Sequence, residues 1–353
     1  MSQPNRIFIK GNEAIARGAL AAGAKCFFGY PITPQNDIPE FMSQAMFDAG
    51  GQFVQAESEV AAANMLLGAA ACGIRSLTTS SSPGISLKQE AISYMAGCEV
   101  PGVIVNVSRG GPGLGDIGPS QADYFQAVKG GGHGDYKLLV LAPGTVQEAY
   151  DLTIKAFDLA FKYRNPVMLL ADAIIGQMQE PVVPWTPENR DPHEGQDWGL
   201  VGAKNRAPRL IKSLFLDDGA LAGQNQKLQA KYEAMKAEID QELFLTEDAE
   251  LIIVAFGSIG RIVKSTIRKL RSQGKKVGLV RPITLFPFPA DVLLRLAKEG
   301  KRFLTIEHNM GQMVEDVRLS IRMVADSDFY AQLPGTLPTP DDFEQPILKA
   351  LEG

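Results

Sequence analysis

Two short stretches carry residues able to do chemistry. Tyr30-Pro31-Ile32-Thr33-Pro34 is a proline-braced turn with one hydroxyl, and Glu59 follows it at the head of an Ala-rich, uncharged run, Val60 to Ala71. A run with no charge reads as a buried helix, which would place the Glu59 carboxylate in a low-dielectric pocket. A carboxylate so placed can share a proton with a ring nitrogen. The aminopyrimidine of thiamine diphosphate needs that contact: a hydrogen bond at N1′ favours the imino tautomer, whose nitrogen removes the C2 proton of the thiazolium. The plainer alternative is a first-turn glutamate that complements the helix dipole behind a Ser58 cap. Glu57 precedes the helix and reads as a solvated or capping charge.

Other polar groups fall at strand ends. Thr33 could offer its hydroxyl to a carboxylate or a cofactor, or simply cap a helix beginning at Gln35. Arg109 follows an apolar strand and opens Gly110-Gly111-Pro112-Gly113-Leu114-Gly115-Asp116-Ile117-Gly118. Its planar fork suits a substrate carboxylate, with a structural salt bridge as the alternative. The literal GxGxxG in this segment is not a dinucleotide fingerprint. Pro119 interrupts before any long helix, and no acidic residue closes a second strand at the required distance. Thr79-Ser80-Ser81-Ser82-Pro83-Gly84 ends a strand and leads to a helix at Ser86, where backbone N–H groups could hold an anion or a ring substituent. His133 sits in a glycine-rich loop and reads as a loop hydrogen bond or a ligand contact. Gly257-Ser258-Ile259-Gly260 reads as a tight turn with a helix cap, and Glu307-His308-Asn309 as a possible interface.

These positions need a scaffold. Apolar runs at 25–30, 74–79, 103–107, 138–141 and 167–171 read as strands. Helical patterns lie between them at 12–22, 35–48, 59–71, 86–96 and 145–162. Thr145 with Glu148, and Ser86 with Gln89, match capping boxes. Near-continuous apolar strands alternating with helices predict an α/β protein with mainly parallel sheets, buried on both faces. Composition shifts near Glu180, where Pro181, Pro184, Pro187 and Pro192 cluster, and 227–243 reads as a charged helix. A second α/β unit starts at Leu251. The expected division is 1–190 for the first domain, 191–245 for a connector with a helix, and 246–353 for the second domain.

The totals exclude several classes. The formal net charge of −5 gives no electrostatic reason to expect nucleic acid. No apolar run approaches the roughly 20 residues of a membrane span. Met1–Arg6 lacks the apolar core of a signal peptide, so a cytoplasmic protein is expected. The three cysteines, Cys26, Cys72 and Cys98, are too few and too scattered to hold a four-cysteine iron–sulfur cluster or a zinc ion. No metal site is expected on this chain.

Taken together, Gly29–Pro34, Glu59, Arg109-Gly110-Gly111-Pro112 and His133-Gly134-Asp135 resemble the α-type subunit of 2-oxoacid:ferredoxin oxidoreductases. The likeness covers about 11–180, as a thiamine-diphosphate pyrimidine-binding domain, and about 250–317, as a transketolase C-terminal-like domain. The wording of Gln55–Glu59, Ser80–Ser86 and Gly113–Gly115 is most similar to the branched-chain (2-oxoisovalerate) enzymes, with the 2-oxoglutarate enzymes as the alternative. The resemblance implies oxidative decarboxylation of a 2-oxoacid with coenzyme A, giving acyl-CoA, CO₂ and reduced ferredoxin. It implies Glu59 as the catalytic group that activates the aminopyrimidine, and Thr33 and Arg109 as residues facing the oxoacid carboxylate. Tyr30, Pro31, Ile32, Glu59, Ser81 and His133 are the expected cofactor contacts. This chain has no GDG…N diphosphate motif and no ferredoxin-like cysteine run. The resemblance therefore implies partners: a β-type subunit bearing the diphosphate, Mg²⁺ and a [4Fe–4S] cluster, a γ-type subunit, and a small ferredoxin-like subunit with clusters. A reading from another class is a non-catalytic α/β scaffold subunit that binds an anion or nucleotide. A nicotinamide dehydrogenase is disfavoured by the failed fingerprint.

Overall fold

The computed structural model describes residues 6–188, 191 and 194–352. Met1–Asn5 and the connector's Pro192 lie outside the described residues. A seven-stranded sheet has the order Thr284–Phe286, Leu139–Leu141, Pro166–Asp172, Gly102–Ser108, Ser76–Ser80, Cys26–Gly29, Gln52–Gln55. All pairings are parallel except that of Thr284–Phe286 with Leu139–Leu141. The strands 76–80, 102–108 and 166–172 are buried along their whole length, as an apolar strand covered on both faces must be. Helices Gly11–Ala21, Asp37–Asp48 and Val146–Tyr163 supply Ile15, Ile38, Met42 and Phe157 to one face. Helices Glu59–Ala71 and Pro83–Cys98 supply Ala62, Leu66, Ile92 and Met95 to the other.

A second sheet runs Ser327–Ala331, Arg302–Glu307, Leu251–Val254, Val277–Pro282, Gln241–Phe244, with only the last strand antiparallel. The α/β class and the mainly parallel sheets are as the sequence predicts. The Glu59 helix has the expected bounds, Glu59–Ala71.

Four local readings change. The Ser86–Gln89 capping box does not form, because the helix begins three residues earlier with Pro83 at its first position. Proline has no N–H to lose there and a φ already suited to the first turn. The Gln89 amide instead accepts from Tyr136 at 3.0 Å. The 145–162 box is half formed: Thr145 caps the Glu148 N–H at 3.0 Å, but the Glu148 carboxylate turns to Gly144 N and to Arg281. The single helix expected over 227–243 is Ala220–Ala234 plus a short 3₁₀ turn, after which Gln241–Phe244 becomes an edge strand. That strand forms because Glu242 meets Arg281 at 2.7 Å across the pair, a contact with no local signal. Ser258 does not cap its helix; it donates to the buried carboxylate of Asp172 in the first sheet. Burial pushes the Asp172 pKa up against the hydrogen bonds that pull it down.

The two sheets are joined through 120–129. Side chains of both, such as Ile104 and Tyr124 with Ile252 and Phe303, share one apolar cluster. Glu307-His308-Asn309 lies at this junction. Gln121 donates its backbone N–H to His308 O at 2.8 Å and its side chain to Phe256 O at 3.0 Å, and accepts from His308 N at 3.1 Å. Asn309 donates to Gln121 O at 3.0 Å. The Glu307 carboxylate accepts from Met313 N and Val314 N at the head of the following helix, at 2.7 and 2.9 Å. Burial pushes its pKa up although these N–H groups oppose the shift. His308 Nε2 carries the ring hydrogen, because its partner at 3.0 Å, Leu333 O, can only accept. Gln121→Met would leave His308 N buried and unpaired, while Phe256 O would keep the Gly260 N–H at 3.0 Å. We expect it to lower the unfolding free energy by roughly 2 kcal/mol or more, read from denaturant titration. An unchanged midpoint would show that the junction does not depend on this side chain.

Candidate functional site

The site lies where the sheet changes direction. The turn after Cys26–Gly29 runs to the Asp37–Asp48 helix on one face, while both neighbouring strands, Gln52–Gln55 and Ser76–Ser80, lead into helices on the other. In open α/β sheets the crevice at the carboxyl ends of such strands is where ligands bind. Tyr30–Pro34, Glu59, Ser80–Gly84 and Arg109 all sit at that edge.

Glu59 is the first residue of its helix, and Ser58 performs the cap by accepting from Ala61 N at 3.2 Å. The cap and the buried carboxylate therefore coexist, and the helix-end alternative does not use up the Glu59 side chain. Glu59 is 7% exposed, and among the described residues nothing donates a hydrogen bond to its carboxylate. The carboxylate lies against the first turn of the Pro83–Cys98 helix. A Cβ on Gly84 would fall 2.8 Å from Glu59 Oε1 and 2.1 Å from Ser80 Oγ, so only glycine permits this approach.

The turn leading into that helix is braced. Ser82 has φ +29°, a strained value for a residue with a side chain. It is held by three bonds: its N–H to Asn106 Oδ1 at 3.0 Å, its hydroxyl to Asp123 Oδ2 at 2.6 Å, and the Arg109 N–H to its Oγ at 2.9 Å. Asn106 also donates to Asp123 at 2.8 Å. On the other side, Gln35 bridges Thr79 Oγ1 at 2.5 Å and Tyr30 O at 3.3 Å, tying the proline turn to the same strand end.

Arg109 is buried. Its terminal nitrogens donate to Thr33 O at 2.9 Å and Leu114 O at 3.1 Å, and no carboxylate among the described residues pairs with it. The salt-bridge alternative is therefore not what the structure contains. These two bonds leave three of its N–H groups over, and the Nε is buried without a partner among the described residues. The Ser80 and Ser81 hydroxyls are likewise buried without partners among the described residues. Such a concentration of unpaired polar atoms is unusual in a folded interior and marks a place for a ligand. Thr33 is exposed, and its Oγ1 accepts only a long 3.4 Å contact from Asn36. Tyr30 and Pro31 are exposed and Ile32 is half-buried.

The glycines of 110–118 close a loop on itself. Gly110 N bonds Gly118 O, Asp116 N bonds Gly110 O, and Arg109 bridges to Pro119; no helix follows until Tyr124. His133 is brought elsewhere. Its loop hangs on the Tyr136 hydroxyl, which accepts from Gly131 N and Gly132 N and donates to Gln89, more than one turn along the helix from Gly84. The His133 side chain is exposed.

One residue of the site escaped the sequence reading. Lys88 is 0% exposed, with its Nζ 2.9 Å from Thr78 Oγ1 and 3.4 Å from the backbone oxygen of Glu59. Burial pushes its pKa down to about 8, with Glu59 opposing the shift. The signal was available: Ile85, Lys88, Ile92 and Met95 recur at helical spacing on one stripe, and the stripe is the buried one.

A different cleft, of about 540 Å³, lies between Gly144–Thr145 and Arg261, Lys264 and Arg268. Its cations are largely paired, Arg281 with Glu148 and Glu242, Arg261 with Glu180, and Lys264 with Glu242, so it is an ion-paired junction of the two sheets. Among the described residues, no group of three or more His, Cys, Asp or Glu could hold a metal ion, and no helix is long and apolar enough to cross a membrane. The residues at the strand ends do fit an aminopyrimidine. A carboxylate with no donor among the described residues meets, at Gly84, the Ser80 hydroxyl, which has no partner among them either.

Comparison with known proteins gives the family. Residues 17–245 match the family model described as pyruvate flavodoxin/ferredoxin oxidoreductase, thiamine diphosphate-binding, and 249–343 match pyruvate:ferredoxin oxidoreductase core domain II. The chain is 51% identical to ketoisovalerate oxidoreductase subunit VorB of Methanothermobacter marburgensis, over 88% of this chain and 89% of that one. It is 35% identical to 2-oxoglutarate synthase subunit KorA of Methanothermobacter thermautotrophicus, over 97% and 98% of the two chains. In fold, it superposes with TM-score 0.86 on a 2-oxoglutarate:ferredoxin oxidoreductase from Magnetococcus marinus, at 24% identity over 99% of this chain and 66% of that one. A split-gene transketolase follows at TM-score 0.60, 13% identity and 98% of both chains. At half identity over nearly nine-tenths of each chain, and with both family models in order along the sequence, this chain belongs to the 2-oxoacid:ferredoxin oxidoreductases, as a subunit of a multi-subunit enzyme.

Proposed function

We propose that this chain supplies the pyrimidine-side half of a thiamine diphosphate site in an enzyme that oxidatively decarboxylates branched-chain 2-oxoacids, with coenzyme A as acyl acceptor. The observation that carries the reading is the buried Glu59 carboxylate, which has no donor among the described residues and is held against Gly84 at the strand ends. When bound, the cofactor supplies the carbon nucleophile and electron sink that a 2-oxoacid needs to lose CO₂. Glu59 holds a proton at the ring's N1′. Tyr30, Pro31, Ile32 and the Ser81 hydroxyl line the ring pocket, and His133 belongs to this set only if a partner draws its loop inward. Arg109 and Thr33 orient the oxoacid carboxylate with the N–H and O–H groups their own chain leaves free. The diphosphate, Mg²⁺ and a [4Fe–4S] cluster belong to a β-type partner. A γ-type subunit and a small ferredoxin-like subunit complete the electron path to ferredoxin. The branched-chain assignment rests on the 51% identity to VorB against 35% to KorA.

The test is purification of the native complex and a panel of 2-oxoacids with a viologen acceptor. We expect kcat/KM for 3-methyl-2-oxobutanoate to exceed that for 2-oxoglutarate by at least about tenfold, since a pocket shaped for an apolar branch leaves a second carboxylate buried and unpaired. The reverse preference would move the chain to the 2-oxoglutarate enzymes. Arg109→Ala is expected to raise the KM for the oxoacid by roughly tenfold or more, the scale of one lost charge-assisted contact. A KM unchanged within error would remove Arg109 from the substrate site and leave it as the brace between Thr33 and Leu114.

A further inference from the structure

Lys88 is a buried cation that the reading above does not use. It projects from the Pro83–Cys98 helix towards the first turn of the Glu59 helix, one turn beyond Gly84. No carboxylate oxygen is its hydrogen-bond partner; the Thr78 hydroxyl and the Glu59 main-chain oxygen are. Its apolar neighbours on the stripe, Ile85 and Ile92, show that an aliphatic side chain would suit the position sterically. Placing an ammonium there instead carries a desolvation penalty that no direct ion pair among the described residues offsets. A charge kept in such a place is doing something other than packing.

We propose that Lys88 is a positioning residue for Glu59: its buried ammonium, held by the Thr78 hydroxyl, anchors the first turn of the Glu59 helix. The inference rests on the assignment of Glu59 to the cofactor ring. The depressed pKa of Lys88, about 8, reflects the same burial, and Glu59 is the charged group that pulls it back up. The bond to Glu59 O also fixes the backbone from which the carboxylate projects.

The experiment compares Lys88→Met, Lys88→Gln and Lys88→Arg in the assembled complex, beside Glu59→Gln. Two quantities are read: the Kd for thiamine diphosphate by calorimetry, and kcat and KM for the oxoacid. Lys88→Met and Lys88→Gln are expected to weaken cofactor binding and lower kcat by about tenfold or more each, the scale of one lost charged contact, with the oxoacid KM unchanged. Lys88→Arg, which keeps the charge, is expected to recover most of both. The double variant Lys88→Met/Glu59→Gln should be no worse than Glu59→Gln alone, because the lysine acts through the carboxylate. Cofactor affinity and kcat within about twofold of wild type in Lys88→Met would overturn the inference. So would a chain that assembles with neither Met nor Gln at this position, which would make the lysine purely structural. If Glu59→Gln is itself silent, the assignment of the site has failed; if only the lysine variants are silent, the site stands and this inference falls.

Discussion

Glu59→Gln in the assembled enzyme is expected to lower turnover by roughly 10²-fold or more, the contribution of a lost proton-sharing group. The substitution is nearly isosteric and should not disturb the fold. The helix cap belongs to Ser58, not to Glu59, and no described residue donates to the carboxylate, so no internal hydrogen bond is broken. What changes is the chemistry of the tip. A carboxylate only accepts, whereas an amide brings donors as well and cannot take up a proton. The loss should therefore fall on kcat, with the oxoacid KM moving little, because the carboxylate of the substrate is oriented by other residues. Steady-state kinetics with a viologen acceptor, on a complex shown intact by size and cofactor content, measures both. Near-wild-type turnover in that complex would remove Glu59 from the reaction.

Much of this site is legible in the residues, and the parts that are not share a cause. Glu59 and its helix can be read because the signal is local: a cap, a carboxylate, then an uncharged apolar run. The parallel sheet can be read because buried strands are apolar from end to end. The edge strands could not be found that way. Ile7–Lys10 pairs with Gln179–Val182, across most of the first domain, and Thr284–Phe286, which directly follows a strand of the second sheet, joins the first. Each is only three or four residues long, and its stability comes from a partner remote in sequence. The Ser86 cap misread has the opposite origin. The pattern was present, but Pro83 and the strained Ser82, fixed by Asn106, Asp123 and Arg109, started the helix sooner. Arg109 shows a third case. Its position past a strand end is readable, but not that two of its N–H groups brace Thr33 and Leu114 while its Nε stays free. Lys88 was readable from periodicity alone, on the condition that a charged residue is allowed onto an apolar stripe.

Gly84→Ala is expected to cost about as much activity as the loss of Glu59 itself, with a much smaller effect on stability. The conformation at Gly84 is ordinary helix, so the substitution brings no backbone strain and even a slight gain in helix propensity. The damage is steric and directed. The added methyl would lie 2.1 Å from Ser80 Oγ, 2.8 Å from Glu59 Oε1 and 3.1 Å from Glu59 Cγ. Both obstacles are side chains, so the fold can yield, at a cost of about 1–3 kcal/mol for an overpacked contact. The site cannot yield as cheaply. Moving the carboxylate by as little as about 1 Å is enough to lose some 10²-fold in rate when a reacting group must be held in line. Thermal unfolding and kcat on the same preparation separate the two effects. The double variant Ser80→Ala/Gly84→Ala then identifies the collision that matters. Removing the Ser80 hydroxyl relieves the closer contact and should restore stability, but it leaves the methyl against Glu59 and should not restore turnover. If turnover returns with stability, the methyl acts through Ser80, and the close approach of Gly84 to the carboxylate is not what this glycine is for.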